Sequence, residues 1–431
     1  MKINVALVFA VSVLLLSALA CRPLATPTAA PALPPTVQTV SPEPPTETGE
    51  PPTATEEPTP PEPTFPAPAS IPVPPAPAHF RSGAPIQLDE IHMATLTEGW
   101  GLSAKYVLVT ADGGGTWREV TPPVSFLDGT PDKAYGVFLD AKTAWVIFAG
   151  SDHIPHEAQV WHTTDGGATW TPGAPLLHQA YGDSVWAEFA VLDAQNIWLL
   201  VRGVYVGAGT HHDHELFHTA DGGLTWTSLD GQISDDYTGL VFRDALNGVR
   251  TLQTVGAYAA APPAYDVTTD GGANWDQREL PPPPEAPDLF TQYDYCETYQ
   301  PDLSSTKFIR ILVGCFDYYN PPHKFVSYLY ASYDDGNTWH TQLLPDKVLA
   351  PQDTLLFFGD YPTLLLGRDM YQNSNGGFGD WTHVKTVNWD GQFSFVDPQH
   401  GWAVARSDGE VALVQTTSGG GTWSVIKPTI K

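Results

Sequence analysis

One short turn is written seven times in this chain. It reads TADGGGTW from Thr110, TTDGGATW from Thr163, TADGGLTW from Thr219, TTDGGANW from Thr268, SYDDGNTW from Ser332 and TTSGGGTW from Thr416, with a worn form, SNGGFGDW, from Ser374. Its tryptophans at 117, 170, 226, 275, 339, 381 and 423 lie 53, 56, 49, 64, 42 and 42 residues apart. A period of this size is the mark of a repeat architecture. Within each copy the chemistry is that of a tight turn. An aspartate accepts hydrogen bonds from N–H groups just ahead of it, and paired glycines take positive φ without steric cost. β-prone runs flank the turn: YVLVTA from Tyr106, QVWHTT from Gln159, ELFHTA from Glu215 and YDVTT from Tyr265. Each copy therefore reads as a hairpin whose tryptophan supplies a large apolar block.

A second pattern precedes the hairpins. It appears as FLDAKTAWVIFA from Phe138, VLDAQNIWLLVR from Val191, FRDALNGVRTLQ from Phe242 and FVDPQHGWAVAR from Phe395, with a fainter ATLTEGWGLSA from Ala94. This is another strand, turn and strand. Each unit then holds four strands, A to D, and four strands in about 40–50 residues make one propeller blade. The expectation is an all-β fold: a seven-bladed β-propeller with four-stranded antiparallel blades over residues 81–431, preceded by a disordered Pro/Thr-rich tether. About 350 residues without a second linker exceed the usual domain size, which a repeat ring escapes because each unit contacts its neighbours.

The repeat resembles the Asp-box, or bacterial neuraminidase repeat. The fuller Phe-x-Asp…Gly-Trp-Ala-Val…Thr-x-Asp-Gly-Gly-x-Thr-Trp unit is most similar to photosystem II stability/assembly factor-like propellers, over most of residues 86–426. The motif is strong for fold and weak for function, because sialidases, xyloglucanases and sortilin-type receptors carry it too. The sequence departs from the pattern in its long fifth unit, at Asn375 in the sixth and at Ser418 in the seventh. The family pattern also implies a binding surface that includes arginines after the Gly-Trp-Ala-Val strand. Arg202 and Arg406 match that place; Arg250 and Arg310 lie on the same kind of strand out of register.

The N-terminal segment is a different polymer. Residues 1–21, MKINVALVFAVSVLLLSALAC, join one lysine to an apolar run too short to span a bilayer, which fits an export signal. Ala18-Leu19-Ala20 fits a small-x-small cleavage site, and Cys21 just after it fits a lipoprotein signal; lipidation of Cys21 is the favoured expectation. Residues 22–80 hold 20 of the 42 prolines among Thr, Ala and Glu. Proline removes donors and little apolar surface is left to bury, so an extended tether is expected, reaching at most on the order of 180 Å. The expected location is the cell surface or periplasm, on a membrane through the lipid.

A net charge of −28 excludes nucleic acid as a partner, since its phosphates would be repelled. With Cys21 lipidated, Cys296 and Cys315 remain as a pair. In an oxidising compartment they are expected to form a disulfide contributing about 3 kcal/mol.

In a four-stranded blade the A–B and C–D turns share one face of the disc, and the B–C and D–A loops share the other. The Asp-box carboxylates Asp112, Asp165, Asp221, Asp270 and Asp334 are thus expected to be structural. Function is expected on the opposite face, where connections lengthen over four consecutive blades: GSDHIPHEA from Gly150, GVYVGAGTHHDHE from Gly203, VGAYAAAPPAY from Val255, FDYYNPPHK from Phe316, and the D–A stretch PPPPEAPDLF from Pro281. Binding-face candidates are His153, His156, Glu157, His211, His212, Asp213, His214, Glu215, Tyr318, Tyr319, His323, Arg202 and Arg406.

His153, His156, His211, His212 and His214 are of a type that holds zinc, copper or nickel, but their spacing defines no site, and solvated polar loops are the plainer reading. No cofactor is implied. A sialidase would need three arginines on a carboxylate, a Tyr/Glu pair and a Phe/Tyr-Arg-Ile-Pro stretch; HFRSGAPI from His79 does not match it. Asp183, Glu188 and Asp294 are carboxylates without a recognisable hydrolase motif. The expected function is a monomeric, non-catalytic propeller that binds a protein or glycan. A glycoside hydrolase and a metal-binding surface protein are the alternatives.

Overall fold

The computed structural model describes residues 71–125, 132–150, 158–176, 186–205, 212–229, 237–252, 262–305, 308–317, 324–345, 354–358, 361–366, 368–373 and 381–431. Their strands form seven antiparallel sheets in chain order. Blade 1 holds β1 (Glu90–Met93), β2 (Gly99–Ser103), β3 (Tyr106–Thr110) and β4 (Thr116–Glu119). Blade 2 holds β5 (Lys133–Phe138), β6 (Ala144–Ala149), β7 (Trp161–Thr163) and β8 (Thr171–Pro172). Blade 3 holds β9 (Trp186–Val191), β10 (Ile197–Tyr205), β11 (His212–Thr219) and β12 (Thr227–Ser228). Blade 4 holds β13 (Tyr237–Phe242), β14 (Gly248–Leu252), β15 (Ala264–Thr268) and β16 (Asp276–Glu279). One helical turn, α1 (Leu289–Gln292), interrupts the connection to blade 5, which holds β17 (Tyr295–Ser305), β18 (Phe308–Phe316), β19 (Phe325–Ser332) and β20 (His340–Leu343). Blade 6 holds β21 (Thr354–Phe358), β22 (Tyr361–Leu366), β23 (Asp369–Asn373) and β24 (Trp381–Thr386). Blade 7 holds β25 (Asp390–Phe395), β26 (Gly401–Ser407), β27 (Glu410–Thr416) and β28 (Ser424–Ile426). The fold is a β-propeller.

The repeated turn explains itself once its bonds are traced. Asp112 Oδ1 accepts from the Thr116 N–H at 2.8 Å and the Thr110 hydroxyl at 3.0 Å, and Oδ2 accepts from the Thr116 hydroxyl at 2.7 Å. The Thr110 hydroxyl in turn accepts from the Gly114 N–H at 3.0 Å. Asp165, Asp221, Asp270 and Asp334 repeat the arrangement. In blade 7 the Ser418 hydroxyl takes the same place, accepting from the Thr422 N–H at 2.9 Å. Each box carboxylate is thus used inside its own turn.

The glycines do two further jobs. The first donates its N–H to the A–B turn of the same blade: Gly113 to Thr97 O, Gly166 to Lys142 O, Gly222 to Gln195 O, Gly271 to Leu246 O and Gly419 to Gln399 O, at 2.8–3.1 Å. These bonds hold the A–B and C–D turns on one face. The second glycine meets the blade before it. A Cβ on Gly167 would lie 2.7 Å from Val120 of blade 1, on Gly223 3.0 Å from Trp145 of blade 2, on Gly336 2.4 Å from Tyr265 of blade 4, and on Gly420 2.2 Å from Met370 of blade 6.

Strand-B tryptophans complete the seams. Trp145, Trp198 and Trp402 donate their indole N–H to the carbonyls of Gly222, Gly271 and Gly113 in the following blade. Trp100 departs from this rule and donates to Asp140 O in the A–B turn of blade 2. All four tryptophans are buried among apolar side chains contributed by adjacent blades.

The ring closes between blades 7 and 1. Gln392 Oε1 accepts from the Ile91 N–H and Ser394 Oγ from the Met93 N–H, both at 2.8 Å. A final strand, β29 (Thr429–Ile430), then adds to blade 1 as a fifth strand, parallel to β4, with Thr429 opposite Thr116 and Ile430 opposite Trp117.

Two expectations change. Residues 71–80, assigned to the tether on composition, lie against blades 1 and 2. Val73 exchanges both backbone bonds with Trp170, the Ala76 N–H reaches Thr121 O, and His79 stacks on Tyr106 at 4.6 Å. Proline spacing leaves Val73 and Ala76 free to donate, so a proline-rich segment still pairs. The blade 3 loop is also shorter than its polar composition suggested. β10 runs to Tyr205 and β11 starts at His212, so His212, Asp213, His214 and Glu215 are strand residues. The β-prone Val204-Tyr205 run extends the ladder past Gly203.

Candidate functional site

The face opposite the Asp-boxes has two unlike halves. In blades 6, 7 and 1 the B–C connections are two residues long: residues 367–368, Asp408–Gly409 and Ala104–Lys105. Ala104 and Asp408 take φ of 50° and 51° to make these turns. In blades 2 to 5 the connections span residues 150–160, 206–211, 253–263 and 317–324.

The described residues show how the long connections are rooted. Thr298, fully buried in β17 of blade 5, accepts from the Leu252 N–H at 2.9 Å and donates to Ala264 O at 2.7 Å. Those are the two feet of the blade 4 connection, so one hydroxyl fixes their separation. In blade 5 the Asp317 N–H donates to Lys324 O at 2.8 Å. Just below, Cys296 and Cys315 face one another across β17 and β18 and are joined as a disulfide. Tyr299 donates to Glu297 beside this cross-link. Thr298 carries no sequence signal: a lone threonine in a strand looks like any other, and its role appears only across blades.

Of the arginines named from the sequence, Arg250 and Arg310 are turned into the blades. Arg250 Nε pairs with Asp266 Oδ2 at 2.7 Å, with its guanidinium 4.3 Å from the Tyr237 ring centre and 4.4 Å from that of Trp275. Arg310 Nε pairs with Asp302 at 2.9 Å, and burial pushes its pKa down against the attraction of Asp302. Each is the third residue of its strand B. Arg202 and Arg406 are each the sixth residue, toward the B–C end of the strand, opposite Trp186 and Asp390 in the ladders. Three residues along the strand separate the two pairs of arginines.

Around Arg406 lies a small charged array on the low half of the face. Arg406 Nη2 donates to Asp89 O at 2.5 Å, and Asp89 Oδ2 accepts from the Ala104 N–H at 2.6 Å. Arg368, in the blade 6 turn, forks onto Asp390 with bonds of 2.8 and 2.9 Å. Hydrogen bonding by Arg368 holds Asp390 below the usual carboxylate range, and Asp390 in turn holds Arg368 up. Arg368 was not singled out in the sequence because it falls in a turn rather than on strand B.

On the high side, Trp186 opens β9 with 40% of its surface exposed, and in blade 2 the Lys133 ammonium lies 4.5 Å over the Tyr135 ring. His214 is buried in β11, 5.3 Å from the Tyr237 ring, while Glu215 accepts from the Ser228 hydroxyl at 3.0 Å. Both belong to the body of blade 3 rather than to an open loop. His153, His156, Glu157, His211, Tyr318, Tyr319, His323, Asp183 and Cys21 lie outside the described residues, as do the side chains of Arg202, His212 and Asp213. Among the described residues no cluster of three or more His, Cys, Asp or Glu is placed to hold a metal.

No family model matches the sequence. Over 165 residues the chain is 26% identical to a xyloglucanase of Paenibacillus sp, a stretch that is 34% of this chain and 16% of that protein. The chain thus spans about a sixth of the curated relative it matches. Among solved structures it is similar to YCF48 bound to D1 peptide, at 17% identity and a TM-score of 0.48, covering 80% of this chain and 97% of the other. It is also similar to a puromycin-hydrolyzing peptidase of Mycobacterium tuberculosis, at 13% identity and a TM-score of 0.50, covering 83% of this chain and 56% of the other. At these identities the likeness is one of fold.

Proposed function

We propose that this chain is an exported, lipid-anchored, non-catalytic propeller that binds a protein or glycan partner through the face carrying the long connections of blades 2–5. The observation behind this reading is the division of labour between the two faces. One face spends its repeated carboxylates inside its own turns. The other departs from the repeat over four neighbouring blades, with the feet of those connections pinned by buried groups such as Thr298. Long connections on a rigid ring are where recognition is usually placed. Trp186 supplies an aromatic anchor of the kind that dominates binding energy, and Arg406 and Arg368 add orienting charge. The resemblance of the repeat to photosystem II stability/assembly factor-like propellers supports a protein partner. Lipid on Cys21 and the proline-rich tether would keep the domain at a membrane surface.

Co-purification from membranes of the native host tests this. Wild type is compared with W186A and with R406E/R368E. A partner retained by wild type and lost from both variants supports the reading; a partner retained equally by all three refutes it.

A second reading, a glycoside hydrolase, is favoured by the 165-residue match to a xyloglucanase. Release of reducing sugar from xyloglucan by the purified protein would establish it in place of the first.

A further inference from the structure

The Asp-box face breaks its own rule at one seam. Where the other boxes put their first glycine, at Gly113, Gly166, Gly222, Gly271 and Gly419, blade 5 has Asp335, still in the left-handed region at φ 60°. Across the seam, Arg243 of blade 4 stands where the same pattern has Leu139, Leu192 and Val396 in blades 2, 3 and 7. The two departures meet: Arg243 Nη1 lies 2.5 Å from Asp335 Oδ1. Arg278 of β16 donates to the Asp335 carbonyl at 3.2 Å and also bonds the Tyr265 hydroxyl.

These groups border a cavity of about 390 Å³ between blades 4 and 5. Val249, Val267, Leu303 and Ile309 form its apolar floor, and Asn247 and the Asp244 carboxylate, which accepts from the Leu246 and Asn247 N–H groups, add polar lining. An apolar floor with a few convergent polar groups is the usual make-up of a small-molecule site. In a chain of net charge −28, two of its 20 cationic side chains converge here. The Arg243 side chain is 15% exposed and the Asp335 side chain 47%, so the guanidinium is fixed in the wall while the carboxylate is the movable member. A guanidinium fork matches a planar carboxylate. The Asp335 side chain thus marks a carboxylate seat and occupies it from within the chain, on a backbone conformation that glycine holds more easily.

We propose that the blade 4–blade 5 cleft is a binding site for a small carboxylate ligand of the uronic acid class, seated on Arg243 and Arg278 in exchange for the Asp335 side chain. The ligand's ring packs on the Val249–Ile309 floor while the Asn247 amide meets its hydroxyls. The site lies on the face opposite the proposed partner surface and is independent of it.

The test uses sodium glucuronate as probe, with glucose and sodium chloride at matched ionic strength as controls, read by titration calorimetry and by the ligand-dependent rise in Tm. Wild type should bind glucuronate saturably and neither control. D335G restores the residue found in five of the other boxes and removes the internal competitor; it should bind about tenfold more tightly, as expected for one charge-assisted hydrogen bond. R243L, with the leucine found in blades 2 and 3, should lose binding, and R243Q checks the same loss with a polar side chain. No glucuronate binding by wild type and D335G, or unchanged binding in both Arg243 variants, overturns the proposal and leaves the pair as a tie between blades.

Discussion

The indole N–H of Trp402 in blade 7 donates to the carbonyl of Gly113 in blade 1 at 2.9 Å, across the seam where the two ends of the propeller meet. Trp145 and Trp198 make the same bond to Gly222 and Gly271 within the ring. The closing seam therefore uses the chemistry of the internal ones. The W402F variant keeps most of the ring volume but leaves the Gly113 carbonyl without this donor. It should lose about 2–4 kcal/mol, the cost of a half-buried acceptor left without its donor plus a small cavity. Urea unfolding of W402F beside W198F checks this, with similar losses expected for both.

The two glycine positions of a box separate steric from conformational demands. Gly167 has φ 72° and a Cβ there would sit 2.7 Å from Val120, whereas a Cβ on Gly115 meets nothing closer than Asp112 at 3.5 Å. Alanine at 167 should cost about 3 kcal/mol, from left-handed strain and the collision with the preceding blade. Alanine at 115 should change stability by less than about 0.5 kcal/mol, since Ala168 and Ala273 already occupy that place in other boxes. Thermal unfolding of the two variants decides it.

The box carboxylates make stability acid-sensitive. Burial alone would raise the pKa of Asp112, Asp165 and Asp221, but hydrogen bonds from Thr116, Thr169 and Thr225 outweigh it and hold them down. At Asp270 and Asp334, bonds from Asn274 and Thr338 do the same. A depressed folded-state pKa gives stability that is complete above the unfolded value of about 3.9 and lost as pH falls through the folded value. Stability should stay level from neutral pH to about 5 and drop below about 4. D165N should be less stable than wild type at pH 7, with the gap narrowing under acid. Near-UV circular dichroism against pH measures both.

Much of this was legible beforehand because it is local. Asp165, its glycines and Trp170 lie within eight residues and announce a turn, and seven copies announce a ring. What stayed hidden depends on contacts distant in sequence. Thr429 and Ile430 pair with Thr116 and Trp117 without any periodic signal. Val73 sits in a stretch whose prolines suggested a free tether, yet it bonds Trp170. Arg250 matched the expected arginine strand in type, but three positions of register place it against Asp266. Blade 3 kept His214 and Glu215 in its ladder because cross-strand pairing overrode polar composition.

Removing residues 428–431 tests the C-terminal clasp. The deletion takes away the bonds linking Gly83, Ala84 and Ile86 to Pro428 and Ile430, the bond from Thr429 to Gly115, and the burial of Ile430. The expected loss is about 4 kcal/mol. Amide exchange should quicken first at Trp117 and Arg118, on the uncovered edge of blade 1.

The account rests on a working face opposite the Asp-boxes. Single cysteines at Lys105, Lys133 and Lys324 on one face, and at Leu139, Leu246 and Gln399 on the other, allow thiol-labelling rates to be measured with and without the partner recovered from host membranes. Slowed labelling confined to the first face, and strongest at Lys133 and Lys324, is the predicted result; slowed labelling at Leu139, Leu246 and Gln399 instead would contradict it.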